Sequence, residues 1–289
     1  MKTEIAKSNK IFLCAISNIT SGTCKEDCKF CSQSVKYKAD IDRYRYQDID
    51  IILDQAKRSR DLGALGFCLV TADKGITDKS LDFVCEVAQA VKKAVPKLHL
   101  IACNGTANRK QLEVLKQHGI DAYNHNLETS KEFYPSICTT HDWQERYDTC
   151  LDVKQSDLNL ISGGIFGLGE SQEDRLSMLH SLKELDPISV PINFYHHNPA
   201  LPLSPNPLTI QEGLELITLT REILCDAQRI MVAGGRELLF GDRQKEIFDA
   251  GANSIVVGDY LTTSGIDAHD DLKMIQKLGL EVAESRDDR

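Results

Sequence analysis

Three cysteines, Cys24, Cys28 and Cys31, stand close together near the start of the chain, in the hydrophilic stretch TSGTCKEDCKFCSQS. Their spacing is C-x3-C-x2-C. Thiolates are soft ligands that suit zinc or iron–sulfur centres, and three of them leave one position of a four-coordinate centre open. Zinc with a fourth ligand elsewhere is one reading, because structural zinc uses C-x2-4-C pairs. The remaining cysteines and histidines show no second pair at ligand spacing. That favours a [4Fe–4S] cube on three thiolates, whose fourth iron can bind something that is not protein. Of the ten cysteines, the other seven (Cys14, Cys68, Cys85, Cys103, Cys138, Cys150 and Cys225) are scattered singly. Each of those reads as a small buried hydrophobe. Thiols clustered in a reducing compartment point to metal or catalysis before disulfides.

The elements around the loop must hold it rigidly. FLCAIS reads as a strand that delivers the chain into the cysteine loop, and DIDIILDQAKRSRDLG reads as the helix after it. Short apolar runs then alternate with helical-period segments about eight times, roughly every 30 residues. LNLISGGIFG is read as one strand, and RELLFGDRQKEIFDAG as one helix. The repeat predicts a parallel sheet with helical crossovers, closed or nearly closed as a (β/α)8 barrel of the TIM type. The 289 residues suit a single domain spanning 1–289, since such barrels need roughly 250. A doubly wound sheet would open on a glycine-rich turn, and here that turn is the cysteine loop.

Barrel active sites lie at the C-terminal ends of the strands, where Asn124 and Asn126 close the strand IDAYN. An amide that both donates and accepts suits a neutral urea-like group. Six of the eight prolines fall between Pro187 and Pro207, which predicts a long stiff loop over the mouth. His196 and His197 in that loop read as solvated. GGIFGLGE lacks the lysine and hydroxyl of a phosphate loop. No side chain is singled out as a general acid or base.

Charge narrows the partners. Lys and Arg number 34 against 43 Asp and Glu, a net of −9 with no long basic run, which argues against nucleic acid or an anionic membrane. No apolar run approaches the ~18 residues of a membrane span. The run Ile11 to Ile16 is too short for a signal peptide's core, so a cytoplasmic protein is expected.

The cysteine spacing, with Phe30 before the last cysteine, resembles the radical S-adenosylmethionine (SAM) superfamily. The ordered set TCKEDCKFCSQS, YNHNLETS, QERYDT, SGGIFGLGE, VPINF, AGGRE and GANSI…LTT is similar to the biotin synthase family, from about residue 13 to residue 280. The resemblance implies a [4Fe–4S] cluster on Cys24, Cys28 and Cys31, with SAM on the open iron. It implies that Arg146 meets the SAM carboxylate, Glu128 the ribose, and Gly163, Ile165, Gly167 and Glu170 the adenine side. Asn126 is shared between cofactor and substrate. Asn124, Asn126 and Asn193 would meet the ureido ring of dethiobiotin, and Thr262 and Thr263 its carboxylate. A flavodoxin- or ferredoxin-type electron donor and a homodimer are implied partners.

One departure stands out. The family's second, [2Fe–2S], cluster uses three cysteines and an arginine. Cys68 matches the first cysteine and Arg229 the arginine, but Ile101 and Ile161 stand where the other two belong. Isoleucine cannot ligate iron. Cys103, two residues past Ile101, would face the same side of a strand. The alternative is a one-cluster relative, methylornithine-synthase-like or hydrogenase-maturase-like, that inserts no sulfur.

Overall fold

Alternation along the first strand sets two faces. In β1 (Lys10–Asn18), Ile11, Leu13 and Ala15 join an outer cluster, while Phe12, Cys14 and Ile16 join an inner one. The computed structural model describes residues 9–258 and 268–288. The strands that follow are β2 (Gly66–Val70), β3 (His99–Cys103), β4 (Ala122–Asn124) and β5 (Asn159–Ile161). Then come β6 (Gly164–Phe166), β7 (Ser189–Phe194), β8 (Arg229–Val232), β9 (Ser254–Val256) and β10 (Glu281–Val282).

Every pairing is parallel, and β1 pairs with both β2 and β9, so the sheet closes on itself. Counting β5 and β6 as one interrupted strand gives the eight-stranded barrel that the repeat predicts. The interruption falls at Gly163, where the Asn126 side chain accepts the Gly163 N–H in place of a strand carbonyl, at 3.2 Å. A side chain at Gly163 would strike the backbone oxygen of Pro191. Single-strand periodicity cannot register either partner.

Helices cover the outside. Five in succession, starting at Asp78, Arg109, Trp143, Gln172 and Ile210, with one short helix between the second and third, open on a reciprocal capping box, from Thr77, Asn108, Asp142, Ser171 and Thr209. Each such cap is worth about 1 kcal/mol. The segment read as one helix near the end is broken at Gly241, whose φ is +48°, into Arg236–Phe240 and Glu246–Asp249. A helix at Ala268–Lys277 and β10, which pairs with β1, complete the chain; neither was read from the sequence.

The barrel interior is plugged below the mouth. Cys68, Ile101, Ile161, Met231 and Val256 pack with Phe12 and Cys14 in one apolar cluster. Burying each isoleucine contributes about 1.5–3 kcal/mol. Under the plug the floor is polar and paired. Lys92 Nζ lies 2.6 Å from Asp121 Oδ2, which also accepts the Leu100 N–H at 2.9 Å. Arg229 stacks over the Phe12 ring at 4.1 Å and donates to the Arg286 carbonyl.

Candidate active site at the barrel mouth

The cysteine loop leaves β1 and is pinned on both flanks. Val35 N–H donates to the Cys24 carbonyl at 2.8 Å, and Gly22 N–H to Gln33 Oε1 at 2.5 Å. Its middle is tied to the segment after β4, where Lys29 N–H donates to the Ile137 carbonyl at 2.8 Å. Asp27 accepts from the Thr139 and Thr140 N–H groups at 2.9 and 3.2 Å. Desolvation pushes its carboxyl up, but bonds from Thr139, Cys138 and Thr140 outweigh this and hold it well below the usual range.

Cys24, Cys28, Cys31 and Phe30 line one side of a cavity; Asn124, Asn126, Glu128 and Arg146 line the other. Burial pushes the Cys24 and Cys31 thiols up, Cys31 to about 12, so the metal-free loop keeps protons that a cluster must displace.

On the opposite wall, Arg146 Nε donates to the Asn126 carbonyl at 2.6 Å and Nη2 to Glu128 Oε1 at 3.0 Å. Glu128 sits at φ +68°, a left-handed conformation uncommon outside glycine. The bend lets its backbone pair with β6, with Ile165 N–H donating to its carbonyl at 2.8 Å. Burial raises the Glu128 carboxyl, with Arg146 opposing. Two buried acceptors, Asn124 Oδ1 and Glu128 Oε2, have no partner. Buried polar atoms are rarely left so unless a ligand completes them. Three soft thiols, a cation and two orphan acceptors fit an iron–sulfur cluster with a polar ligand beside it.

Other expected residues take different places. Glu170 spends its carboxylate within its own turn, accepting from Gly167 N–H at 2.9 Å, Leu168 N–H at 2.6 Å and Arg175 Nε at 2.7 Å. It shapes the turn, in which Gly167 has φ +86°, and does not line the cavity. Ile165 is half-buried on β6, and Gly163 touches Asn126. Asn193 ties three strands together, donating to the Gly164 carbonyl at 3.2 Å and accepting from Gly234 N–H at 2.9 Å. It is not among the cavity-lining residues. Thr262 and Thr263 lie outside the described residues.

The expected second-cluster residues come together only in part. Cys68, Ile101 and Ile161 do meet, inside the apolar plug. Arg229 does not join them, because its guanidinium is engaged at the floor by Phe12 and Arg286; Met231 is the residue β8 gives to the plug. One thiol with two isoleucines and a methionine does not fit a four-ligand [2Fe–2S] cluster. The thiols facing the interior are Cys14, Cys68 and Cys103, and Asn124 Nδ2 donates to Cys103 Sγ at 3.7 Å.

Sequence reading missed one cluster altogether. Cys138 Sγ lies 3.7 Å from Cys28 Sγ, with His141 against both. Cys138 is therefore more than an isolated buried hydrophobe, and CTTH at 138–141 is the second pair at ligand spacing that seemed absent. The C-x2-H spacing was the available signal.

A closed parallel barrel with a three-cysteine loop after its first strand defines a radical SAM protein, and the Radical SAM superfamily pattern matches residues 18–182. The Biotin and Thiamin Synthesis associated domain matches residues 191–281. A biotin synthase of Sulfurimonas denitrificans is 65% identical over 278 residues, covering 96% of this chain and 99% of that one. A biotin synthase of Wolinella succinogenes is 51% identical, covering 95% and 98%. The chain belongs to the biotin synthase family. A methylornithine synthase (TM-score 0.80, 20% identity, covering 95% of this chain and 84% of that one) shares the fold. So does a hydrogenase maturase of Carboxydothermus hydrogenoformans (TM-score 0.80, 16% identity, covering 94% and 67%). At those identities the likeness is one of fold, and the one-cluster alternative is not favoured.

Proposed function

We propose that this chain converts dethiobiotin to biotin, with Cys24, Cys28 and Cys31 holding the [4Fe–4S] cluster. The observation that carries the reading is 65% identity to a biotin synthase over nearly the whole chain. When bound, the cluster and SAM supply a 5′-deoxyadenosyl radical able to take hydrogen from unactivated carbon. The chain's own residues bind and orient. Arg146, held in place by Asn126 and Glu128, offers a fixed cation to the SAM carboxylate. The free Glu128 Oε2 accepts a ribose hydroxyl, while Gly163, Ile165 and the turn shaped by Gly167 and Glu170 flank the adenine.

The free Asn124 Oδ1 accepts an N–H of the ureido ring, and Asn126 meets the same ring. Asn193 keeps β6, β7 and β8 in register around them, and Thr262 and Thr263 remain the proposed partners of the substrate carboxylate. Sulfur insertion also needs a donor, and Cys68 and Cys103 are the chain's own soft ligands for one. A flavodoxin- or ferredoxin-type donor, a homodimer and a cytoplasmic setting complete the proposal for this single domain. No described helix is long and apolar enough to cross a membrane.

The test is anaerobic reconstitution with iron and excess sulfide as the sulfur source, reduction, and incubation with SAM and dethiobiotin. Methionine, 5′-deoxyadenosine and biotin are the expected products. A deoxyadenosine yield that dethiobiotin does not change would refute the substrate assignment while sparing the superfamily chemistry.

A further inference from the structure

We infer that Cys28, Cys138 and His141 form a mononuclear site for one thiophilic divalent cation of the zinc class. Tetrahedral zinc, with Zn–S about 2.3 Å and Zn–N about 2.0–2.1 Å, needs S···S about 3.8 Å and S···N about 3.6 Å. Here the two sulfurs are 3.7 Å apart. His141 Nε2 lies 3.8 Å from Cys138 Sγ and 4.0 Å from Cys28 Sγ. Closure on a metal through Nε2 keeps the two sulfurs nearly in place and requires the imidazole to turn, because Cys138 Sγ now lies nearer Nδ1, at 3.3 Å, than Nε2. Two thiolates of one cubane serve different irons, so sulfurs this close suit a shared single ion instead.

The surroundings have the features of a metal site. Glu26 Oε2 lies 2.7 Å from His141 Nδ1. A carboxylate on the far nitrogen is the usual support of a metal-binding histidine, and it leaves Nε2 for the metal. Cys138 Sγ is also 3.3 Å from Nδ1, so the hold of Glu26 decides which nitrogen faces the ion. Asp27 fixes the other side by bonding Thr139 and Thr140, which lie between Cys138 and His141. His141 lines both the cluster cavity and a second cleft, shared with Cys138 and Thr139. The cleft provides an entry path and a place for an exogenous fourth ligand. Because Cys28 serves both centres, a bound cation and the cluster exclude each other. The cation site stands on geometry alone; only the competition rests on the cluster assignment.

Iron-free, thiol-reduced protein titrated with Co²⁺ alone tests the site. One equivalent should bind with thiolate-to-cobalt charge transfer and tetrahedral visible bands. Cys138→Ser and His141→Gln should each weaken binding at least tenfold, and Glu26→Gln roughly 10–100-fold. Cys24→Ser and Cys31→Ser should leave it unchanged. Cys138→Ser should still take up iron and sulfide at the wild-type level on reconstitution, which shows that it folds. Cobalt-loaded wild type should take up less. Cobalt binding that survives Cys138→Ser and His141→Gln, or that is lost with Cys24→Ser or Cys31→Ser, overturns the site. Full cluster uptake with cobalt retained overturns only the competition.

Discussion

The two ends of this barrel both bury polar and charged side chains, and they treat them in opposite ways. At the floor, Lys92, Asp121, His99, Arg229 and Arg286 are all engaged with one another or with backbone. At the mouth, Asn124 Oδ1, Asn104 Oδ1 and Glu128 Oε2 are buried without a partner. An unsatisfied buried group costs about 1–3 kcal/mol, so the mouth lowers the stability of the chain while the floor supports it. Apart from the unpartnered Ser189 Oγ, beside Arg229, the floor is finished by folding. The mouth is finished by ligands.

Variants that remove ligands at the mouth should show the largest effects. Cys24→Ala, Cys28→Ala or Cys31→Ala should reduce SAM cleavage to background, since a cluster short of one thiolate is labile. Iron content and deoxyadenosine yield are the measurements, and a variant that keeps both removes the cluster assignment. Arg146→Met should come next. It leaves Glu128 as a buried, unpaired acid, and breaking such a pair costs about 3–5 kcal/mol. Denaturant unfolding and SAM affinity should both fall, and an unchanged SAM affinity would sink the carboxylate role.

The floor should answer to pH. Burial, together with Arg286, Lys92 and Arg229 and against Asp121, lowers His99 to about 4. The folded state then binds fewer protons than the unfolded state between about pH 6.5 and 4. Stability should therefore be full above pH 6.5 and fall as the pH drops through that window, by no more than about 3 kcal/mol. His99→Gln should flatten the slope, and an equal slope in the variant would remove His99 as its source.

Asn124→Leu separates the two ends most directly. Deleting an orphan acceptor should leave stability equal or higher, while dethiobiotin affinity drops by about 1–3 kcal/mol. Lower stability with intact affinity would mean that Asn124 belongs to the scaffold. The smallest change is expected inside the plug, where Ile161→Cys, ideally with Ile101→Cys, gives Cys68 soft neighbours. Bound iron and sulfide should rise together above the wild-type level, for about 1 kcal/mol of lost burial per site. No gain in either would show that the plug stays closed to metal.

Legibility followed distance along the chain. Cys24, Cys28 and Cys31 could be read because all three ligands sit on one loop, and the barrel because each β/α unit repeats its pattern locally. Asn126 could be placed from the end of its strand, but Arg146 was picked out only by resemblance, since its 2.6 Å contact with Asn126 spans 20 residues. Cys138 and His141 were passed over because Cys28, which gives them meaning, lies 110 residues from Cys138. Arg229 and Met231 share a strand face, and spacing alone does not say which one reaches the plug. Glu170 belonged to a recognised motif, yet that motif records a turn as much as a contact.

The pairing of β1 with β9 sets a schedule as well as a shape. The cluster cysteines are made within the first 31 residues, but the edge of β1 stays open until Ser254–Val256 has been synthesised. At about 5–20 residues per second, that interval lasts roughly 10–45 s. For all of it the three thiols hang on an unclosed sheet, within reach of any metal or oxidant nearby. Closure of the barrel around the cluster loop therefore comes late, after the thiols have been made and before the last helix.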